Sequence, residues 1–303
     1  MKKDKSQLQG YTLILLAGCL WGTSGLFVTL LSNLGATSYL SGFSRIFFGT
    51  LFLIPVVLLL YGKGGFKIDR YGFIFSMVMG VLCQALFNIT YNLSITSIGV
   101  STASVLLYTA PIFVCIMSRI VFSELLTKVK MFALILNIIG CILTVTNGDF
   151  STIKFSVFGV LMGICAGFSY GLMTVMSKYI SNKGYNTLTV TFYSFAAGAL
   201  VISLFAKPLT TAASLISPLF LLLVVGFGLV PAAGAYFLYM KGLSKPVETT
   251  KVPVIASTEA IVGAIIGVCV FGEAFGFFKL IGIACVFGSI IIMSNAKNVS
   301  KVK

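Results

Sequence analysis

Residues 100–124, VSTASVLLYTAPIFVCIMSRIVFSE, and residues 249–273, TTKVPVIASTEAIVGAIIGVCVFGE, decide the fold. Each is an apolar run long enough to cross a ~30 Å hydrocarbon core as a helix. Each closes on Phe-x-Glu, as Phe122-Ser123-Glu124 and Phe271-Gly272-Glu273, 149 residues apart. At the same offset Gly18, Trp21 and Gly22 fall on Gly167, Tyr170 and Gly171. Each Glu follows the fourth apolar segment of its half and precedes a fifth. Five is odd, so two such halves insert with opposite orientations, an arrangement characteristic of transporter folds. Chance matching between apolar segments is the competing explanation. The recurrence of aromatic-Gly and Glu matches at one offset argues against it.

Outward from these runs the chain marks ten apolar stretches, at 11–31, 39–61, 71–94, 100–122, 129–147, 156–180, 187–205, 219–241, 249–271 and 277–294. They are continuously apolar rather than alternating, which predicts helices and not a barrel. Apolar residues make up 58 % of the chain and charged residues 9 %, against roughly 25 % charge in soluble domains. The expected fold class is therefore an all-α membrane protein, with ten transmembrane helices as two inverted five-helix repeats. The halves are expected at residues 8–147 and 154–296.

The charges orient the chain. With the N-terminus inside, 17 of the Lys and Arg residues fall in inner segments. Only three, Lys154, Lys207 and Lys279, fall in outer ones; Arg45, within the second segment, is left aside. The positive-inside rule then predicts a multi-pass protein of the cell (plasma or inner) membrane with both termini cytoplasmic. A net charge of +14 needs no nucleic-acid partner, since no basic run interleaves with aromatics. Lys2, Lys3 and Lys5 before Leu16-Ala17-Gly18-Cys19 resemble a lipoprotein signal. The apolar run continues through Leu31, and the repeat needs it, so no cleavage at Cys19 is expected. The seven cysteines lie in apolar segments without a CxxC and histidine is absent. No metal, cofactor or disulfide framework is expected.

Gly18-x-x-Trp21-Gly22, Arg45 in the second segment, Pro111 in the fourth and the two Phe-x-Glu closures resemble the EamA family of the drug/metabolite transporter superfamily. Glu259-Ala260 stands where that family often shows Leu-Glu-Pro, with Ala here in place of Pro. The resemblance spans residues 10–295. It implies a ten-helix secondary transporter, commonly an exporter of amino acids or other small metabolites, and leaves the substrate open.

Polar residues inside the segments are the candidates for a substrate site. Glu259 lies about ten residues into the ninth segment, near the expected midplane, where a lone charge costs several kcal/mol. It either binds a cationic group of the substrate, takes up a proton during exchange, or is a structural carboxyl, hydrogen-bonded or paired with Arg45 or Lys251. Gln84, Asn88 and Tyr91 share one helical face and either line a cavity or tie helices together. Tyr108, one turn before Pro111, is a binding candidate, whereas Pro111 itself predicts a packing kink. Arg45 either meets a substrate carboxylate, pairs with Glu259 or snorkels outward. Trp21 and Tyr170 either gate the cavity or pack beside glycines. Tyr236 and Tyr239 are candidates for the cavity's second half. Gly163, Gly167 and Gly171, like Gly18/Gly22 and Gly263/Gly267, form small-residue faces for movable packing, static packing or a homodimer. Glu124 and Glu273 are expected to be interfacial structural groups.

The partners expected are a small-molecule substrate and the lipid bilayer, with proton coupling open. No Walker A motif or long soluble domain supports ATP-driven transport. An intramembrane enzyme would need a catalytic pair, and Glu259 is the only deep carboxylate. A receptor or scaffold is the remaining alternative, distinguished by its lack of flux.

Overall fold

The computed structural model describes residues 2–152 and 155–297; Lys154, Lys301 and Lys303 of the charge count lie outside them. Every element among the described residues is helical. The first four helices are α1 (Lys2–Gly22), α2 (Ser24–Asn33), α3 (Ser38–Tyr61) and α4 (Arg70–Met79). A π-turn at Gly80–Ala85 leads to α5 (Leu86–Leu107), α6 (Ala110–Phe122), α7 (Lys128–Thr146), α8 (Val157–Asn182) and α9 (Thr187–Ala206). Then come α10 (Pro208–Thr211), α11 (Pro218–Phe227), a second π-turn at Gly228–Gly234, α12 (Ala235–Leu243), α13 (Val252–Ala256), α14 (Thr258–Phe271) and α15 (Phe277–Asn295). Several helices begin at side-chain caps. Thr37, Asp69, Thr127, Ser156 and Ser217 each accept an amide hydrogen of the first turn, which satisfies donors the helix cannot.

Among the described residues, nine helical stretches are long and apolar enough to cross a membrane. One of them, Arg70–Leu107, runs 38 residues, far more than one crossing needs. Inside it Gly99 takes φ 81° and ψ 163°, a conformation open essentially to glycine alone. The Tyr91 hydroxyl lies 3.0 Å from Ser104 Oγ, whereas 13 residues of straight helix would hold them about 20 Å apart. The chain thus doubles back at Gly99.

The fourth and ninth expected segments are each broken. The first breaks at Tyr108–Thr109, before α6, and the second at Ser257, between α13 and α14. Pro111 therefore does not kink a continuous helix. It stands in the first turn of α6, where its missing amide costs no hydrogen bond. The two breaks coincide at the 149-residue offset, and the two π-turns coincide to within a residue.

The outer surface is strongly apolar, over a core that is itself largely apolar. Leu59, Ile120, Leu200 and Leu204 are exposed, whereas Lys130, Asn137 and Ser289 are fully buried. Such a surface suits lipid, with polar groups drawn into the bundle.

Candidate functional site

Close backbone approaches place the breaks against glycines. A Cβ at Gly18 would meet the Thr258 hydroxyl and the Ala256 carbonyl, and one at Gly22 would lie 2.8 Å from the Glu259 carbonyl. The other half repeats the contact: a Cβ at Gly167 would lie 2.5 Å from Thr109 Oγ1, and one at Gly171 3.0 Å from the Ala110 carbonyl. These small-residue faces are thus occupied within the chain. Polar side chains hold the second break. Asn137 of α7 donates to Ser257 Oγ at 2.6 Å and to Ser289 Oγ of α15 at 3.0 Å. Thr258 Oγ1 donates to the Leu15 carbonyl at 3.0 Å.

This break puts Glu259 in the first turn of α14, where the helix dipole favours negative charge. Its carboxylate accepts from the Tyr170 hydroxyl at 3.4 Å, a long bond. Among the described residues no cation pairs with it. Lys251 is engaged elsewhere, donating to the Ala296 and Ser294 carbonyls and lying 3.8 Å from Glu248. Arg45 sits over the Phe227 ring, 5.9 Å from its centroid. The ion pair of Glu259 with Arg45 or Lys251 is not formed.

An aromatic wall surrounds the carboxylate. Trp21 meets Tyr170 and Tyr236 edge-on at 5.9 and 5.4 Å and leans on Tyr239 at 4.7 Å. The Tyr236 hydroxyl is 3.2 Å from Gln84 Nε2, and the Tyr239 hydroxyl is 2.7 Å from Thr174 Oγ1. Phe87 stacks on Tyr91 at 5.6 Å and meets Tyr170 at 6.1 Å, which joins Tyr91 to the wall. Trp21, Gln84, Tyr91, Tyr236 and Glu259 are therefore linked through direct contacts, Tyr108 packs against the same apolar core, and Arg45 lies beyond them over Phe227. Asn88 is not among them. Its amide donates to the Gln84 carbonyl at 2.8 Å, and its Oδ1 faces Gly42 of α3. The π-turn at Gly80–Ala85 shifts the helical register, so the predicted single face splits. Tyr170 and Tyr239 join the wall more closely than their place in the sequence suggests. The signal for Tyr170 was its match to Trp21 at the repeat offset.

A multi-pass helical bundle with an unpaired carboxylate inside an aromatic interior has the build of a membrane transporter. The model of the EamA-like transporter family matches residues 8–146 and again 157–295, and the chain belongs to that family. It is 29 % identical over 287 residues to an uncharacterized transporter of Archaeoglobus fulgidus, covering 93 % of this chain and 95 % of the relative. It is 24 % identical to the inner membrane transporter YicL of Salmonella typhimurium, covering 95 % and 96 %. The pseudopaline exporter CntI of Pseudomonas aeruginosa is 27 % identical over 166 residues, 55 % of this chain and 57 % of that one. A solved crystal structure superposes with a TM-score of 0.78 at 18 % identity, covering 96 % and 97 %, a likeness of fold.

Proposed function

We propose that this chain is a secondary active transporter, exporting small amino-acid-like metabolites by alternating access. The observation that carries this reading is the Glu259 carboxylate, set in an aromatic wall with no cation beside it. Aromatic faces and a carboxylate together favour a cationic centre, and Arg45 beyond the wall offers a partner for a substrate carboxylate. Without substrate, Glu259 is the group to take up a coupling proton. The Pseudomonas relative is named as an exporter of pseudopaline, which supports the direction.

The topology in this reading has ten crossings. Gly99 separates the third from the fourth, which the Tyr91–Ser104 contact supports. The halves, residues 8–147 and 154–296, insert with opposite orientations in the cell membrane, with both termini cytoplasmic, as the 17-to-3 charge split favours. Neither an enzyme nor a scaffold is needed to account for an unpaired carboxylate inside a bundle.

Counterflow in proteoliposomes tests the reading. A panel of amino acids and related cationic or zwitterionic metabolites is first screened by thermal stabilisation, which rises as RT ln(1+[L]/Kd). Wild-type vesicles should then exchange the stabilising ligand, and Glu259→Gln should lose both exchange and its pH dependence. Unchanged transport in Glu259→Gln would sink the role of the carboxylate, and absence of flux for every stabilising ligand would favour a scaffold.

A further inference from the structure

The two Phe-x-Glu closures share a backbone and differ in what their carboxylates hold. Ser123 and Gly272 both take the left-handed conformation, at φ 56° and φ 66°. The amides of Glu124 and Glu273 both donate to carbonyls six residues back, Ser118 and Gly267, so the two helix ends close in the same wide turn. Glu124 is buried and accepts from the amides of Thr249 and Thr250 at 2.7 and 2.8 Å. Lys130 beside it donates to Glu248 and the Leu125 carbonyl, and Lys178 donates to the Leu243 and Lys245 carbonyls. This end of the bundle is stitched shut.

At the 149-residue offset the amides corresponding to Thr249 and Thr250 belong to Val100 and Ser101, just past the fold-back at Gly99. Glu273 does not hold them. Its side chain is 55 % exposed and pairs at 2.8 Å with Lys279, the counterpart of Lys130. One end therefore shows the latch engaged and the other shows the same parts disengaged.

The geometry points to a reciprocal pair of latches, an inference that rests on the alternating-access reading above. When the Glu273 end closes, its carboxylate leaves Lys279 and accepts the Val100 and Ser101 amides. As the opposite end opens, Glu124 releases Thr249 and Thr250. Amides at a helix start lack partners within the helix, and a carboxylate bonds them with charge assistance. In the state seen here one carboxylate is held by amides and the other, half-exposed, by Lys279, so neither end is left without a partner.

Hydrogen–deuterium exchange of the full chain in lipid nanodiscs reads these amides directly, with circular dichroism confirming that each variant keeps its helices. Glu124→Gln should speed exchange at 249–250 about tenfold, the loss of charge-assisted bonds, and slow it at 100–101. Adding Glu273→Gln should abolish that slowing. Lys279→Met, which frees Glu273 while leaving Glu124 intact, should by itself slow exchange at 100–101. If the double variant keeps the slow exchange at 100–101, Glu273 is not the second latch, while alternation of the two ends stands. If Glu124→Gln speeds 249–250 and leaves 100–101 unchanged, the ends are uncoupled, and the alternating-access reading falls with the latch.

Discussion

Replacing Lys130 by Met tests the stitched end most sharply. Lys130 is fully buried; its ammonium donates to Glu248 Oε1 and to the Leu125 carbonyl. Met keeps most of the stem's volume, so little packing is lost. What remains is Glu248, 8 % exposed, with Lys251 3.8 Å away as its nearest cation. Stranding one partner of a buried pair costs about 3–5 kcal/mol, and the residual attraction of Lys251 places the expected loss near the lower end. At roughly 2 °C per kcal/mol for a large chain, the midpoint should fall by about 6–8 °C. The emission of the single tryptophan, buried at Trp21, gives the readout during heating in detergent. The pH dependence has a definite sign. Burial pushes the Glu248 carboxyl above the usual carboxylate range, despite Lys130. A folded value above the unfolded one gives stability that is full below the unfolded value and lost as pH rises through the folded one. Removing Lys130 raises the folded value further, so the deficit should grow from pH 5 to pH 8. Adding Glu248→Gln should recover most of it. A deficit equal at both pH values, or a double variant no more stable than Lys130→Met, would refute the assignment of the cost to a stranded charge.

Other substitutions separate the site from its scaffold. Tyr170→Phe removes the one hydroxyl that meets Glu259 and keeps the ring against Trp21; ligand-induced stabilisation should weaken several-fold while the ligand-free melting midpoint stays within about 1 °C. Asn137→Ala removes the donor shared by Ser257 and Ser289, whose hydroxyls keep only their bonds to the Val254 and Val286 carbonyls, and should cost about 1–3 kcal/mol for the two buried bonds, read as a lower thermal midpoint. Gly99→Ala forces a side chain into a glycine-only conformation and should cost about 1–3 kcal/mol. Slower insertion or a lower midpoint would register it, and an unchanged midpoint would show that the fold-back relaxes freely.

The spans and the repeat were legible because hydropathy, charge bias and the Phe-x-Glu closures act over many residues at once. The breaks at Tyr108–Thr109 and Ser257 were not, because Thr, Ala, Ser and Pro leave an apolar run looking continuous. The only hints were Pro111 and Pro253, each in a first helical turn. Glu259 stood out as a charge in an apolar run, and it lies in the first turn of α14 against the Tyr170 hydroxyl. Asn88 stood as equally a cavity-lining or a helix-tying group, and its amide donates to its own helix at the Gln84 carbonyl. No periodicity count at a fixed 100° per residue foresees the π-turn just before it. Asn137 was passed over because a single amide in an apolar segment carries no pattern, although it ties three helices at the second break.

The frame and its contents obey different rules. Gly18 and Gly22 meet Thr258 and Glu259 as Gly167 and Gly171 meet Thr109 and Ala110, so each half presents a broken helix to the first helix of the other. That relation survives exchange of the halves, which a machine opening at alternate ends requires. The polar contents do not survive it. Glu259 falls on Ala110, and Gln84, Asn88 and Tyr91 fall on Ala233, Phe237 and Met240 at the same offset. A second interior carboxylate would double the desolvation cost and repel the first, so a repeat that copied its binding groups would hold two costly charges where one suffices. Under the proposed alternating access, one charge in one half, inside a frame shared by both, would let a single bound group face either end as the frame rearranges around it.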